Sequence, residues 1–489
     1  MLNKLRKRML WSLCGGLLCV ETTVAQTVPI TLGDVVRLAQ EQSIAAKSVR
    51  TARETSYWDY KIFQSGNRPQ LVLDGVLPNY TNSIIGVTQF DGSVTYQPVR
   101  NNLSSLSLGL SQRVNATGGV VTVGTSLQRF DDFNSGRKLY NSNPFFVSLS
   151  QPIVGFNALR WDRRIEPLRY RESKQIFIEQ MERVGQTASD LFFVQLIEQV
   201  NIQIAETNLK NNEVLYAIAR VKSDLGRISL NDLLQLQLEV IKSKKAMAEA
   251  RQNLQAASLR LRTYLGNSLP NPLQLNLPDK IPAFQVDPEK AYEQAAQNRA
   301  DIIAFERRRL EAERTVARVQ GETGPNVTLT GSFGTSNSAQ NVAGILINPQ
   351  SQRAVRLEFR VPVLTWGRAR ARNESAYASR RLTEFTNEQD LQTFRQQITT
   401  QADRVTLLRE QVLLSASVDS IADRRYMIAK ERFMIGNLSV TDLTLALQEK
   451  DISKRNYVLA LSDFWRSYWQ IRLLTLYDFE RNQKIQYEP

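Results

Sequence analysis

The chain has 489 residues, 42% hydrophobic and 22% charged, with a formal net charge of +14. That balance excludes a disordered chain, and because Lys and Arg are spread along the whole length and mixed with acids, the charge reads as a solvated basic surface with no nucleic-acid partner. There is no His, and the two cysteines are Cys14 and Cys19, which excludes thiol nucleophiles, His–Cys zinc sites and His-based acid–base chemistry from everything that follows them. With no nucleotide loop, metal cluster or nucleophile–base pair in sight, neither an enzyme nor a cofactor is expected.

Residues 1–25 read as a signal peptide. Lys4, Arg6, Lys7 and Arg8 form a basic start, Met9 to Val20 is apolar but too short to span a membrane, and Thr23 and Ala25 are small residues suited to cleavage. Leu13 and Leu18 stand where a lipoprotein site wants a small residue, which argues against lipidation. No later stretch approaches about 18 uninterrupted apolar residues.

A helical pattern over Ile44–Gly66 leads to strands. Leu71 and Leu73 alternate with polar neighbours, as do Phe145, Val147 and Leu149 further on. Between them Leu106, Leu108 and Leu110 alternate with serines, and after "NATGG" so do Val121, Val123 and Leu127. This is an extra hairpin, which either lengthens an outer loop or adds two spanning strands. The barrel strands of the first half are placed at about 69–154, and a long helical hairpin at about 159–265. Pro167 predicts a kink or a late start in its first helix.

The phrase "LGRISLNDL" (Leu225–Leu233) interrupts that hairpin and returns as "IGNLSVTDL" (Ile435–Leu443). Tyr216/Tyr426, Gly226/Gly436, Ser229/Ser439, Asp232/Asp442 and Pro152/Pro362 all align at one constant offset. Upstream the offset changes, with Pro69 over Pro325, so the first copy holds extra residues between Gly75 and Pro152. The chain is therefore two internal repeats, 26–266 and 289–489, joined by a Pro-rich linker at 267–288 that contains Pro270, Pro272, Pro278, Pro282 and Pro288.

In the second repeat the strands lie at about 325–363 and the long hairpin at about 369–475. Val355, Leu357, Phe359 and Val361 alternate with Arg356, Glu358 and Arg360. Charges opposite an apolar band suit a transmembrane barrel with lipid outside and water inside, although a half-exposed soluble sheet would alternate in the same way. Trp58, Tyr60, Phe156 and Trp366 flank the strands, as interfacial aromatics do, and Arg160, Arg163, Arg164, Arg368, Arg370 and Arg372 could meet lipid head groups. From each strand end to each tip phrase roughly 67 residues remain for a helix, about 100 Å at 1.5 Å per residue. Leu391, Phe394, Ile398, Ala402, Val405, Leu408 and Val412 form a near-heptad seam that wants a coiled-coil partner.

Repeat order, helix lengths and the doubled tip phrase together resemble the TolC-like outer-membrane efflux proteins, over the whole chain after the signal peptide. The resemblance implies an α+β membrane protein. It would be a homotrimer with a shared β-barrel in the outer-membrane lipid, four strands per chain or six if the extra hairpin spans, continuous with a long periplasmic α-helical barrel. It implies an exit duct of a tripartite efflux or secretion system in a Gram-negative-type bacterium, fed by an inner-membrane pump of unknown class through a periplasmic adaptor (membrane fusion) protein. Gly226, Arg227, Ser229, Gly436, Asn437 and Ser439 would form the adaptor-docking tips.

Asp442 matches the family's entrance aspartate, with capping of the returning helix as an equal reading. Leu445 replaces the usual second acid. Phe433 and Leu438 stand where some members carry a latching tyrosine and arginine, and Asp232 and Asn231 match the partner side of that latch. A periplasmic coiled-coil scaffold would explain the helices but not the strands, and a stand-alone porin the strands but not the helices.

Overall fold

The computed structural model describes residues 29–266, 273–278 and 281–488. The expected signal peptide, and Pro270 and Pro272 of the linker, lie outside the described residues.

Two short helices open the chain, α1 (Leu32–Gln42) and α2 (Ile44–Gly66). Thr31 and Asp34 cap α1 reciprocally, and Ser43 caps α2 by accepting from the Ala46 amide. Five strands follow: β1 (Gln70–Val76), β2 (Tyr80–Thr88), β3 (Val94–Val114), β4 (Gly119–Asp132) and β5 (Arg137–Val154). The first long hairpin is α3 (Ala158–Asp224) and α4 (Leu230–Tyr264). After the linker come α5 (Pro288–Asn298), α6 (Ala300–Thr323), β6 (Asn326–Ala339), a single 3-10 turn at Ala343–Leu346 and β7 (Gln350–Arg360). The second long hairpin is α7 (Arg368–Met434) and α8 (Val440–Thr475), and two short strands, β8 (Tyr477–Asp478) and β9 (Gln483–Lys484), end the chain.

Both α3 and α7 have 67 residues, the length read from the spacing between strand ends and tip phrases. Each is flanked by two shorter helices, α2 and α4 along α3, and α6 and α8 along α7. Pro167 does not delay α3, which starts nine positions earlier at Ala158. Asn157 caps it there by accepting from the Arg160 amide, and Pro167 lies inside the helix, where it lacks one backbone donor.

The main sheet runs in the order β1-β3-β4-β5-β6-β7, with β2 also on β3, and every pairing is antiparallel. The extra hairpin read from the sequence is thus a pair of strands within the sheet, between β1 and β5. Because side chains alternate, one face carries Leu71, Leu110, Val123, Val147 and Phe333 in a single cross-strand row, and the next row on the other face carries Ser111, Thr122, Ser148 and Ser332. The apolar face is open: Leu357 is 57% and Phe359 74% exposed.

The larger core lies where the helices overlap, away from the tips. Of the seam residues, Phe394, Ile398, Ala402, Val405, Leu408 and Val412 are buried there, whereas Leu391 at its start is exposed. Their partners are in the same chain, among them Val458, Leu461 and Phe464 of α8 and Ala291 and Ala295 of α5, so the seam does not wait for a second protein.

The linker closes this core. Leu273, Leu275, Phe284 and Val286 are buried in it. The Gln195 amide donates to the Leu273 carbonyl at 3.2 Å, and Arg409 donates to the carbonyls of Pro282 and Phe284. Prolines stop a helix here but leave carbonyls free to accept.

One buried ion cluster ties the end of the chain to α3. Glu182 is fully buried; Arg472 donates to it from Nε at 2.9 Å and to Asp478, and the Tyr487 hydroxyl also donates to Glu182. Three hydrogen bonds from two partners, Arg472 and Tyr487, make a carboxylate tolerable at that depth.

Candidate functional site

The two tip phrases fold into the same turn, and each residue of the phrase has one job in it. Gly226 and Gly436 take left-handed backbone, φ +67° and +86°. There the Gly226 amide donates to the Ser223 carbonyl at 2.9 Å and the Arg227 amide to the Lys222 carbonyl at 2.8 Å, closing the end of α3. The amides of Gly436 and Asn437 do the same to Phe433 and Arg432 at the end of α7, at 3.1 and 2.9 Å. Glycine is the residue that reaches this conformation without strain.

The returning helices then start on serine. Ser229 accepts from the Asp232 amide at 3.1 Å and donates its hydroxyl to the Asp232 carboxylate at 2.7 Å; Ser439 and Asp442 form the same two bonds at the same distances. Ser439 is the cap of the returning helix, and Asp442 stands in its first turn. This leaves the Asp442 carboxylate exposed, with a second oxygen free to face solvent. Arg227, Asn231 and Asn437 are exposed as well, and among the described residues, chain neighbours aside, nothing lies within 4 Å of a Cβ built on Gly226 or Gly436.

The apolar member of each phrase staples the turn. Ile228 and Leu438 precede the serine caps, and both pack into one cluster with Leu233 and Leu443 from the first turn of the returning helices. That cluster joins the two hairpins, with Leu215 and Ala219 of α3 beside Tyr426 and Ala429 of α7. Phe433 also belongs to it, with the Lys222 ammonium 5.7 Å from its ring centre. Neither Phe433 nor Leu438 carries a group that could bond Asn231 or Asp232. Both positions pack rather than latch.

Polar contacts between the hairpins were not apparent from the sequence. The Asn211 amide donates to the Tyr426 hydroxyl at 3.3 Å, and Lys430 donates to the Asn211 carbonyl oxygen at 3.3 Å. Asn208 of α3 donates to Asp451 of α8, whose burial between the helices pushes its carboxyl above the ordinary range despite that bond. Within the second hairpin, Arg425 of α7 pairs with Glu449 of α8. The repeat alignment marked Tyr426 by its match to Tyr216, but a hydroxyl's partner on another helix has no signature in sequence spacing.

The arrangement is two nearly identical, solvent-exposed turns at one end of long helices, and a sheet with one apolar face at the other. The sequence pattern described as outer membrane efflux protein matches residues 105–267 and 291–475, most of the chain. The chain belongs to the outer membrane efflux protein family.

Solved structures of such channels share its fold. The Campylobacter jejuni CmeC outer membrane channel superposes with a TM-score of 0.64 at 16% identity, over 91% of this chain and 85% of that one. The open state of the Neisseria gonorrhoeae MtrE outer membrane channel gives 0.62 at 16% identity, over 91% and 88%. A membrane protein from Pseudomonas aeruginosa gives 0.64 at 14% identity, over 91% and 90%. No curated protein matches the chain in sequence. The efflux protein family is one of outer-membrane channels rather than enzymes. No helix among the described residues is long and apolar enough to cross a membrane.

Proposed function

We propose that three copies of the chain form the exit duct of a tripartite efflux or secretion system, with the sheets joined into one barrel in the outer membrane and the helices extending through the periplasm. The observation that carries this reading is the pairing of an apolar-faced sheet with two 67-residue helices in one chain. At 1.5 Å per residue each helix reaches about 100 Å, a length useful for crossing a compartment and excessive for a globule. One chain supplies two hairpins and an open sheet, and neither encloses a pore alone; three chains supply six tips around one ring.

The tips Gly226, Arg227, Ser229, Gly436, Asn437 and Ser439 form the surface for a periplasmic adaptor, which links the duct to an inner-membrane pump. Their support is twofold repetition: the same turn, with the same open space over its glycine, is presented by both repeats. Asp442, helped by Asp232, gives the entrance its negative charge, because its carboxylate is exposed while its helix start is capped by Ser439. Asn231 and Phe433 lie beside that entrance.

Fractionation and size in mild detergent test the reading. The full chain should sediment with outer-membrane material and run as a trimer. A monomer, or a chain recovered in the periplasmic fraction, would refute it.

A further inference from the structure

β1 and β2 lie end to end along one edge of β3: β1 pairs with Ser105 to Ser111, and β2 with Val94 to Asn102. They act as one interrupted strand, after which the chain meanders through β3, β4 and β5, and the second repeat adds β6 and β7.

The turn between β3 and β4 sits at the helical end of the sheet. Asn157, the cap of α3, donates from Nδ2 to the carbonyls of Asn115 and Ala116 at 3.3 and 3.2 Å. Gln112 donates to the Asn67 carbonyl, at the end of α2, at 3.0 Å. At the far end β4 is still paired, Asp132 with Arg137 of β5 and with Asn101 of β3. The inserted strands therefore run the full height of the sheet, and the apolar row Leu71, Leu110, Val123, Val147, Phe333 crosses them without a break.

The two edges of the six-strand path are β1, leaving the helical end, and β7, returning to it. They run in opposite directions and are exposed along their whole length. An exposed antiparallel edge left unpaired in lipid is not viable, because no water is there to take up its backbone groups.

We propose that the β3–β4 hairpin adds two spanning strands to each protomer, so that β7 of one copy pairs with β1 of the next and three copies close a barrel of eighteen strands rather than twelve. The proposal rests on the duct reading and deepens it. With strands about 4.8 Å apart and tilted about 40°, eighteen give a backbone diameter of about 36 Å, against about 24 Å for twelve. Barrels of this strand number hold an aqueous channel.

The face opposite the apolar band carries mostly small residues at mid-height, Ser107, Gly109, Ser111, Thr122, Ser148 and Ser332, with Phe146 against Gly124 and, on β7, Arg356 and Glu358. A channel of that width does not sieve solutes of drug size.

Electron cryo-microscopy of the full chain, purified as an oligomer in mild detergent, tests this directly. Eighteen strands in a ring of about 36 Å are expected. A twelve-strand ring, with β3 and β4 outside the wall, overturns the proposal and leaves the duct standing; a chain that forms no ring overturns both. In intact outer membranes, Leu71→Cys/Leu110→Cys and Val123→Cys/Val147→Cys should each form a disulfide within one chain, because these pairs bring β1 against β3 and β4 against β5. Trimers in which neither pair oxidises would place the hairpin outside the wall and reject the wider barrel.

Discussion

Replacing Gly436 separates the strain of the tip turn from its use as a contact. Its φ is +86°, and a Cβ added there meets nothing within 4 Å. Any cost inside the protomer is therefore conformational, roughly 1–2 kcal/mol for an ordinary L-residue held in the left-handed region and less for asparagine. A penalty of that size raises local opening of the turn by about tenfold. It leaves the core between the helices untouched, since the buried residues of that core lie away from the tips.

Gly436→Asn should thus keep outer-membrane level, trimer and export close to the parent. Gly436→Leu should keep level and trimer but lose export, because its side chain fills space that the adaptor needs. Outer-membrane immunoblots and dye accumulation in cells lacking the native gene measure both quantities. Export at the parent rate by the Gly226→Leu/Gly436→Leu double variant would refute the docking assignment. Loss of trimer in Gly436→Asn would refute the estimate of strain.

Asp442→Asn should lower cation preference and cation block in single-channel recordings. Stability should change by only about 0.3–1 kcal/mol, the value of the lost charge at a helix start, since Ser439 remains the cap. Ser439→Ala should cost about 1 kcal/mol and loosen the tip, read as faster amide exchange at Val440 to Leu443. Arg472→Ala strands the fully buried Glu182, and a loss of about 3–5 kcal/mol should appear as a lower Tm with unfolding that begins at the chain end.

Asp451 provides a pH test. Its carboxyl is raised by burial, so the folded chain holds the proton more tightly than the unfolded one. That contribution to stability is present below the ordinary carboxylate value of about 4 and is lost as pH rises through the raised value. Asp451→Asn should raise Tm at neutral pH and flatten this part of the pH profile, as read by thermal melts.

The tips were the most legible part of the sequence, because every position in them acts locally. Gly226, Ile228, Ser229 and Asp232 stop one helix, staple a turn and start the next through contacts within a few residues. Alternation likewise showed which strand residues share a face. It could not place β3 and β4, since period-two patterning is the same for a strand in a loop and one in a wall; only the partners of Asn157 and Gln112 put their turn at the helical end. The seam of α7 was read correctly as apolar, but its partners α8 and α5 are set by tertiary packing. Asn208, Asn211 and Asp451 were invisible for the same reason: as single polar residues on long helices they acquire meaning only when a second hairpin is beside them.

The duct account is tested most directly by a photo-crosslinking residue placed at Arg227 or Asn437 in living cells, where both positions are exposed. Illumination should join each to a periplasmic adaptor protein, identified by mass spectrometry, and the same residue placed at Phe359 on the apolar face of β7 should give no such product. Adaptor adducts from Phe359 but not from the tips, or no adaptor adduct from either tip in cells that export, would contradict it.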